Sequence, residues 1–208
     1  MRFAFASLAS LALSFGSFAS AATIYATAVD WVNNGTTTSA NNRDNPVNAL
    51  GAPDGSFLAL GLSTPNNPGF AVFSFGQQFQ GAVSVIEVTF GCQLLSSGAC
   101  SHSESVDVLA GDDYAFGSND FSDLSDFTFV GSIINGMAQG GTSLALPGSF
   151  TYLAIVDTTR TLFPNSPSTD GFDVESVGVT LANQAVPVPA AGLLIAPFAL
   201  LAARRKRA

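Results

Sequence analysis

The segment Ser149-Phe150-Thr151-Tyr152-Leu153-Ala154-Ile155-Val156-Asp157 has the composition of a largely buried β-strand, rich in β-branched and aromatic residues. Seven similar runs occur along the chain, separated by turns rich in Gly, Asn, Asp, Ser and Pro. These runs are Thr23–Trp31, Phe70–Phe75, Val83–Phe90, Glu104–Ala110, Phe127–Ile134, Thr142–Leu146 and Phe172–Leu181. Because no stretch keeps helical periodicity over three turns, the pattern predicts an all-β antiparallel sandwich of about eight strands.

Two of the runs carry a further prediction. In Val83–Phe90 and in Phe172–Leu181 the apolar residues change phase halfway, which indicates a β-bulge in each. The stretch Val32–Leu62 has few strand signals, and we expect an ordered loop there that crosses one end of the sandwich.

The N-terminus has the organisation of a secretory signal. Arg2 precedes an apolar run from Phe3 to Phe18, and Ala19-Ser20-Ala21 supplies the small-residue cleavage site. We therefore expect a signal helix over residues 1–21 and cleavage between Ala21 and Ala22. A first core strand or an uncleaved anchor is the alternative, but the run is short for a membrane span.

The C-terminus predicts a short membrane-spanning helix. Residues 186–203 are almost wholly apolar, and as a helix they would span about 27 Å, close to the roughly 30 Å of a hydrocarbon core. Arg204, Arg205, Lys206 and Arg207 follow as a stop-transfer cluster that stays cytoplasmic. Residues 22–185 would then form one extracellular domain. A soluble, charge-flanked helix is the alternative, but residues 190–203 offer no polar face.

The tail resembles a known class of bacterial sorting signals. Val186-Pro187-Val188-Pro189-Ala190, a short apolar helix and an Arg-rich end occur in the order of the PEP-CTERM class, VPLPA variant. Val188 stands where that variant has Leu. The resemblance implies processing of residues 186–208 by a membrane exosortase after transient membrane anchoring. It also implies association with exopolysaccharide in the envelope or extracellular matrix of a Gram-negative bacterium.

The charge of the chain lies unevenly. All 15 acidic residues fall within residues 22–185, together with only two cations, Arg43 and Arg160, which gives this region a net charge of −13 against −8 for the whole chain. Such a charge repels phosphates and excludes nucleic acid as a partner. It is compatible with divalent cations, with basic surfaces, or with solubility alone.

Cys92 and Cys100 are the only cysteines. In an exported chain a pair at this spacing predicts a structural disulfide. A metal pair or a redox site is the alternative, but neither the spacing nor the neighbouring residues suit one.

A second resemblance concerns the middle of the chain. Asn48-Ala49-Leu50-Gly51-Ala52-Pro53-Asp54-Gly55 is similar to the opening of galactose-binding-like jelly rolls in secreted bacterial proteins, and Asp170-Gly171-Phe172-Asp173-Val174 is similar to their end. The resemblance implies a jelly roll in which the first loop meets the last strand. It also implies a carbohydrate-binding or adhesive role, often with a structural Ca²⁺.

Calcium requires six to eight oxygen ligands, mainly carboxylates and carbonyls on loops. If the first loop meets the last strand, Asp54 could share a Ca²⁺ with Asp170, Asp173 or Glu175; otherwise Asp54 shapes its own turn. A second acidic group lacks the ligand order of an EF-hand, which leaves a solvated acidic turn as its simpler interpretation. Its members are Asp112, Asp113, Asn119, Asp120, Asp123 and Asp126.

Aromatic residues are the usual platform for a sugar ring. Trp31, Tyr25, Tyr114 and Tyr152 are the candidates outside the two terminal signals, although a lone Trp at a strand end is more often half-buried packing.

No catalytic motif is recognisable. His102 is the only histidine, residues 22–185 contain no Lys, and we interpret His102 as a solvated loop residue. The sequence therefore predicts a non-enzymatic surface or matrix protein with a structural, adhesive or carbohydrate-binding domain. The alternative is a secreted polysaccharide hydrolase that uses paired carboxylates.

Overall fold

The computed structural model describes residues 22–88, 92, 93, 95, 96, 100–136 and 141–181. These residues form two five-stranded sheets in which every strand pairing is antiparallel. The strands are β1 (Thr23–Tyr25), β2 (Ala28–Trp31), β3 (Leu58–Ala59), β4 (Phe70–Phe79), β5 (Gly81–Glu87), β6 (Ser105–Gly111), β7 (Thr128–Ile134), β8 (Thr142–Ala145), β9 (Phe150–Asp157) and β10 (Asp173–Leu181). The short helix α1 (Thr159–Leu162) and the 3-10 turns Ala40–Asn42, Pro46–Ala49 and Phe121–Leu124 lie in the connections.

The two sheets exchange strands along the chain. The first sheet has the order β1-β10-β5-β8, with β3 also paired to β10, and the second has the order β2-β4-β9-β6-β7. Among the described strands, only the step from β6 to β7 stays within one sheet. Every other step crosses to the opposite sheet, which gives the molecule a jelly-roll-like arrangement.

The core lies between the sheets. Alternate residues of each strand point inward, so Phe73 and Leu153 of the second sheet pack with Val83, Val85 and Val177 of the first. Each fully buried side chain of this kind contributes roughly 1.5–3 kcal/mol relative to an exposed one. A second apolar cluster covers part of the outer face of the second sheet, around Phe70, Tyr114 and Phe127.

The prediction of an all-β antiparallel sandwich is confirmed, and each of the eight predicted runs contains a strand. The run Thr23–Trp31 is wrong as a single strand, because it forms β1 in one sheet and β2 in the other. The Ala26 N–H donates to Val177 O in the first sheet, whereas the Thr27 N–H donates to Ser74 O in the second.

The predicted loop and one predicted bulge are also present. The loop over residues 32–62 contains two 3-10 turns and the two-residue strand β3. In β10 the register shifts between Val174 and Ser176, so Glu175 is the extra residue of a bulge. β5 pairs regularly with β8 over residues 82–85, and the end of its predicted run lies outside the described residues.

The two terminal predictions fall outside the described residues. They are the signal helix over residues 1–21 and the tail over residues 186–208, with the sorting motif Val186–Ala190 and the cluster Arg204–Arg207. Within the described part of the chain, no helix has the length and apolar character needed to cross a membrane.

Candidate functional site

Four buried carboxyls converge at one end of the sandwich. Glu87 ends β5, Asp173 begins β10, Asp157 ends β9, and Glu104 directly precedes β6. Antiparallel pairing brings these strand ends together, since Val174 pairs with Glu87 and Val106 pairs with Asp157. All four side chains belong to residues that are less than a tenth exposed. Buried carboxylates are costly unless they are paired or protonated, so this end of the molecule requires a specific explanation.

A cleft of about 310 Å³ lies at this end. We refer to it as the acidic cleft. It is lined by Arg43, His102, Glu104, Pro167, Ser168, Thr169, Asp170 and Asp173. The lining side chains therefore come from three loops, namely the long loop after β2, the loop before β6 and the loop before β10.

Asn135 holds Glu104 in place. The Glu104 N–H donates to Asn135 Oδ1 at 3.0 Å, and Asn135 Nδ2 donates to Glu104 Oε2 at 3.2 Å. Burial raises the pKa of Glu104 to about 8; the Ser168 hydroxyl lowers it, and Glu87, Asp170 and Asp157 raise it further. The carboxyl of Glu104 is therefore largely protonated at neutral pH, and it can both donate and accept a hydrogen bond.

Asp173 is the second perturbed carboxyl of the cleft. Burial raises its pKa to about 9, with further increases from Glu104, Asp170 and Glu87, and Arg43 lowers it. Its Oδ1 atom is buried and has no hydrogen-bond partner among the described residues. A native buried oxygen of this kind calls for a partner, which a bound molecule could supply.

Asp157, by contrast, is fully engaged. Its carboxylate accepts hydrogen bonds from the N–H groups of Ser63, Thr159 and Phe172 and from the Thr159 hydroxyl, at 2.7–3.2 Å. Burial raises its pKa, and these four donors lower it in part. Asp157 therefore ties the loop between β3 and β4 to both ends of the connection between β9 and β10, which is a structural role.

Among the described residues, Arg43 is the only Arg or Lys that lines the cleft. Its guanidinium pairs with Asp170 and also donates to Ala40 O at 3.0 Å. The backbone of both residues is anchored, because Arg43 O accepts from the Ala59 N–H and Asp170 O accepts from the Gly61 N–H.

His102 is half-buried and lines the cleft, which differs from the solvated position that the sequence predicted. Its Nδ1 lies 3.3 Å from Ser101 Oγ, and its carbonyl accepts from Asn135 Nδ2. The imidazole therefore adds ring nitrogens that can donate or accept a hydrogen bond to a cleft that also holds carboxyls, hydroxyls and the Arg43 guanidinium.

A second depression adjoins the acidic cleft at Pro167. It has a volume of about 370 Å³ and a more apolar lining, which includes Leu95, Leu162, Phe163 and Pro164. Leu95 and Leu162 are each about half exposed. We refer to this depression as the apolar shelf.

Both walls of the apolar shelf are braced. The predicted disulfide is confirmed: Cys92 and Cys100 are bonded, with their Cα atoms 5.3 Å apart. On the other wall, the Arg160 guanidinium donates to the carbonyls of Ser166 and Ser168 at 2.5 and 2.8 Å. We refer to the end of the sandwich that holds the acidic cleft and the apolar shelf as the loop end. Arg43 and Arg160, the two Arg residues of the described chain, both lie there, and both are engaged by carboxylate or carbonyl oxygens.

The four predicted calcium ligands lie in two pairs. At the first turn, Asp54 Oδ1 accepts from the Ser56 N–H, and Glu175 Oε1 accepts from the Gly55 N–H at 2.6 Å. Asp170 and Asp173 line the acidic cleft instead. Within the described ranges, no three His, Cys, Asp or Glu side chains are placed to hold one metal ion, so the four do not form a single site. Calcium binding stays a prediction.

The second acidic group caps turns on the outer face of the second sheet. Asp120 accepts from the Ser122 N–H at the start of a 3-10 turn, and Asp123 accepts from the Ser118 hydroxyl. Asp113, Asp123 and Asp126 also border a depression of about 320 Å³. Local hydrogen bonds account for much of this cluster, as the simpler interpretation predicts.

The aromatic candidates serve mainly as packing. Trp31 packs against the core, and its Nε1–H donates to Leu60 O at 2.8 Å. Tyr114 is buried and donates to Asp30 at 2.7 Å, and burial raises its pKa. Tyr152 stacks against Phe116, which is 42% exposed and so presents more aromatic surface than the predicted residues do.

Sequence reasoning missed Glu87, Glu104, Arg43 and Asn135 as members of the loop end. One signal was available: Glu87 stands between Ile86 and Val88 in a run rich in β-branched residues, where a charge is costly without a partner. Arg43, one of only two cations in the strongly acidic region 22–185, is a second such signal.

Comparison with solved structures finds likenesses to carbohydrate-binding domains. The CBM32 domain of AlyQ in complex with 4,5-unsaturated mannuronic acid is 13% identical, over 77% of this chain and 99% of that one, with a TM-score of 0.42. A truncated AlyQ with CBM32 and alginate lyase domains is 13% identical, over 79% of this chain and 35% of that one, with a TM-score of 0.43. The CBM32-1 and CBM32-2 domains of Clostridium perfringens ZmpB give 10% identity, 76% and 35% coverage, and a TM-score of 0.39.

This chain spans about a third of the length of the truncated AlyQ chain. No protein-family model matches the chain, and no curated protein matches it.

Proposed function

We propose that this chain is a non-enzymatic carbohydrate-binding protein of the cell envelope or extracellular matrix, and that its loop end binds the glycan. One observation carries the proposal: the acidic cleft, rich in hydrogen-bonding side chains, adjoins the apolar shelf at Pro167, which lines both. A sugar ring presents hydroxyls at its rim and C–H groups on its faces, so it requires both kinds of surface side by side.

The lining chemistry suits hydroxyl groups. Arg43 donates, Glu104 in its protonated form donates and accepts, and the hydroxyls of Ser168 and Thr169 do both. Phe163 and Leu162 supply the neighbouring apolar contact. Together the two depressions reach the size that small-molecule sites usually have, with a few placed polar groups beside an apolar surface.

The delivery route in this proposal rests on the two terminal sequences. A signal peptide over residues 1–21 would export the chain, and the tail over residues 186–208 would anchor it until an exosortase-type enzyme acts. An exopolysaccharide of the producing cell is then the nearest glycan. Binding to this exopolysaccharide would be sufficient to retain a non-enzymatic protein in the matrix.

The alternative is a polysaccharide hydrolase, and one observation favours it: Glu104 and Asp173 line the same cleft and both have raised pKa values. Glycoside hydrolysis, however, needs one carboxyl protonated and one ionised near neutral pH. Burial keeps both of these carboxyls protonated. This arrangement suits hydrogen bonding to a ligand better than acid–base catalysis, so we favour binding.

A glycan-binding assay with a matched pair of variants tests the proposal. Thr169→Trp would fill the acidic cleft from an exposed position, and Gln77→Trp would place the same side chain on an exposed residue near the far end of β4. We expect the purified protein to bind at least one glycan of a neutral and amino-sugar panel, Thr169→Trp to weaken that binding at least about tenfold, and Gln77→Trp to leave it unchanged. Absence of binding across the panel, or equal effects of both variants, would refute the proposal. Release of reducing ends from a bound glycan would favour the hydrolase instead.

A further inference from the structure

Charge limits which glycans the acidic cleft can accept. Both cations of the described chain are engaged at the loop end, Arg43 with Asp170 and Arg160 with backbone carbonyls. Three carboxyls line the cleft, those of Glu104, Asp170 and Asp173, and Glu87 lies close enough to add to their field. A ligand with a carboxylate or a sulfate would find no unengaged cation there among the described residues, because Arg43 is paired with Asp170 and the other two lining carboxyls are buried.

Asp173 provides the second observation. The residue is only 6% exposed, it lines the cleft, and its Oδ1 accepts no hydrogen bond from any described residue. A buried carboxyl oxygen without a donor is costly, and its best partner is a cationic N–H group, because charge-assisted hydrogen bonds are about twice as strong as neutral ones.

The cation that fits is an organic one. No three potential ligand side chains are placed around one metal ion in the described part of the chain. The cleft volume of about 310 Å³ is also far larger than a bare ion requires, and it is of the size that holds a small organic ligand.

We propose that the acidic cleft selects sugars that carry a protonated amine, with the ammonium group placed between Asp173 and Glu104. This inference rests on the proposed function and adds the class of ligand. Binding of the ammonium favours ionisation of Asp173, which releases its proton to solvent and forms the ion pair. An N-acetylated sugar retains the ring but lacks the charge, so it leaves Asp173 protonated and gains no ion pair. A uronic acid of the same ring brings a carboxylate to a cleft that offers it no unengaged cation among the described residues.

Six monosaccharides test the proposal by calorimetric or NMR titration of the purified protein near pH 6.5. They are glucosamine and galactosamine, their N-acetyl derivatives, and glucuronate and galacturonate. We expect at least one amino sugar to bind about tenfold or more tighter than its N-acetyl partner, as one charge-assisted hydrogen bond allows. We expect each uronate to bind more weakly than both the amino sugar and the N-acetyl sugar of the same ring.

Two variants separate the site from the general charge of the domain. Asp173→Asn should weaken amino-sugar binding about tenfold more than it weakens N-acetyl sugar binding. Asp113→Asn removes one charge from the outer face and should change neither affinity. Circular dichroism checks the fold of each variant, and Glu104→Gln replaces Asp173→Asn if the latter does not fold.

The outcomes distinguish the two claims. If the neutral sugars bind at least as tightly as the amino sugars, or if Asp113→Asn acts as strongly as Asp173→Asn, the selection for amines is wrong and the binding function stands. If none of the six sugars binds and the glycan panel also gives no ligand, the binding function itself fails.

Discussion

Glu104 and Asp173 show how the surroundings of a carboxyl set its pKa. Both are acidic residues at strand ends, as several others in this chain are, but burial raises the pKa of Glu104 to about 8 and that of Asp173 to about 9. Asp120, which is exposed and accepts the Ser122 N–H, has a lowered pKa instead. Residue type alone therefore did not identify the cleft.

The raised pKa of Glu104 predicts a pH-dependent stability. The folded protein binds this proton more tightly than the unfolded chain does, so the contribution is complete below the ordinary pKa of 4.5 and is lost as the pH rises through about 8. We expect the free energy of unfolding to fall between about pH 5 and pH 8. Glu104→Gln should remove part of that fall, on the order of a few kcal/mol.

Chemical denaturation at several pH values measures this effect, with Asp113→Asn as the control for the change in net charge. A Glu104→Gln variant with the same pH dependence as the wild type would show that burial does not perturb this carboxyl.

Calcium is a separate prediction at the residue scale. A ligand that binds only the folded state stabilises it by RT ln(1 + [L]/Kd), about 2.7 kcal/mol at a hundredfold excess over Kd. Asp54 and Asp173 lie in different pairs, so one Ca²⁺ ion would use only one of them. Millimolar Ca²⁺ is expected to raise the melting temperature, and either Asp54→Ala or Asp173→Ala, made singly, to abolish most of the rise. NaCl at matched ionic strength is the control, and a rise no larger than with NaCl would exclude a specific site.

Most strands were predictable because each is a local run rich in β-branched and aromatic residues. β-Branched and aromatic runs overlap nine of the ten described strands, with β1 and β2 in one run, and miss only β3; the phase change in Phe172–Leu181 predicted the bulge at Glu175. The break between β1 and β2 was not predictable, since Ala26 and Thr27 show no turn signal and the break follows from pairing to different sheets. The acidic cleft was missed for the same reason: its lining comes from three loops that only the tertiary fold brings together.

The loop between β3 and β4 depends on a close approach between two glycines. A Cβ on Gly69 would lie 1.6 Å from the Gly61 carbonyl oxygen, and the Gly69 carbonyl accepts from the Asp157 N–H at the end of β9. We expect Gly69→Ala to destabilise the fold by more than about 3 kcal/mol, because the backbone itself must move.

Gly148→Ala is the matched control, since its Cβ would make only ordinary contacts of 3.6 Å and beyond with Phe150. Denaturant melts of both variants provide the comparison. Similar stabilities would mean that the loop over residues 61–69 is free to rearrange.

At the scale of the whole molecule, export and retention are predicted to depend on different ends of the chain. Deleting Val186–Ala208 removes the only long apolar segment that remains after signal cleavage. The truncated protein should still be exported but should no longer be retained at the envelope. Cell fractionation tests this, and membrane association equal to that of the full chain would contradict the sorting role of the tail.

The net charge of the whole domain and the carboxyls of its loop end both disfavour an anionic ligand. A domain with 15 acidic residues and two internally engaged arginines discourages anionic partners, and its largest concentration of buried carboxyls faces a cleft. The outer face of the second sheet offers a rival surface, where the exposed rings of Phe116 and Phe121 lie near Asp123 and Asp126. The two surfaces lie on different parts of the sandwich, so a bound sugar can be assigned to one of them.

Chemical-shift mapping makes that assignment. An ¹⁵N-labelled sample is titrated with the tightest-binding sugar of the panel, and each backbone amide is followed. We predict shifts confined to residues of the loop end, above all His102, Glu104, Ser168, Thr169 and Asp170. Shifts confined to residues 113–126, with the loop end unchanged, would contradict the assignment of function to the acidic cleft.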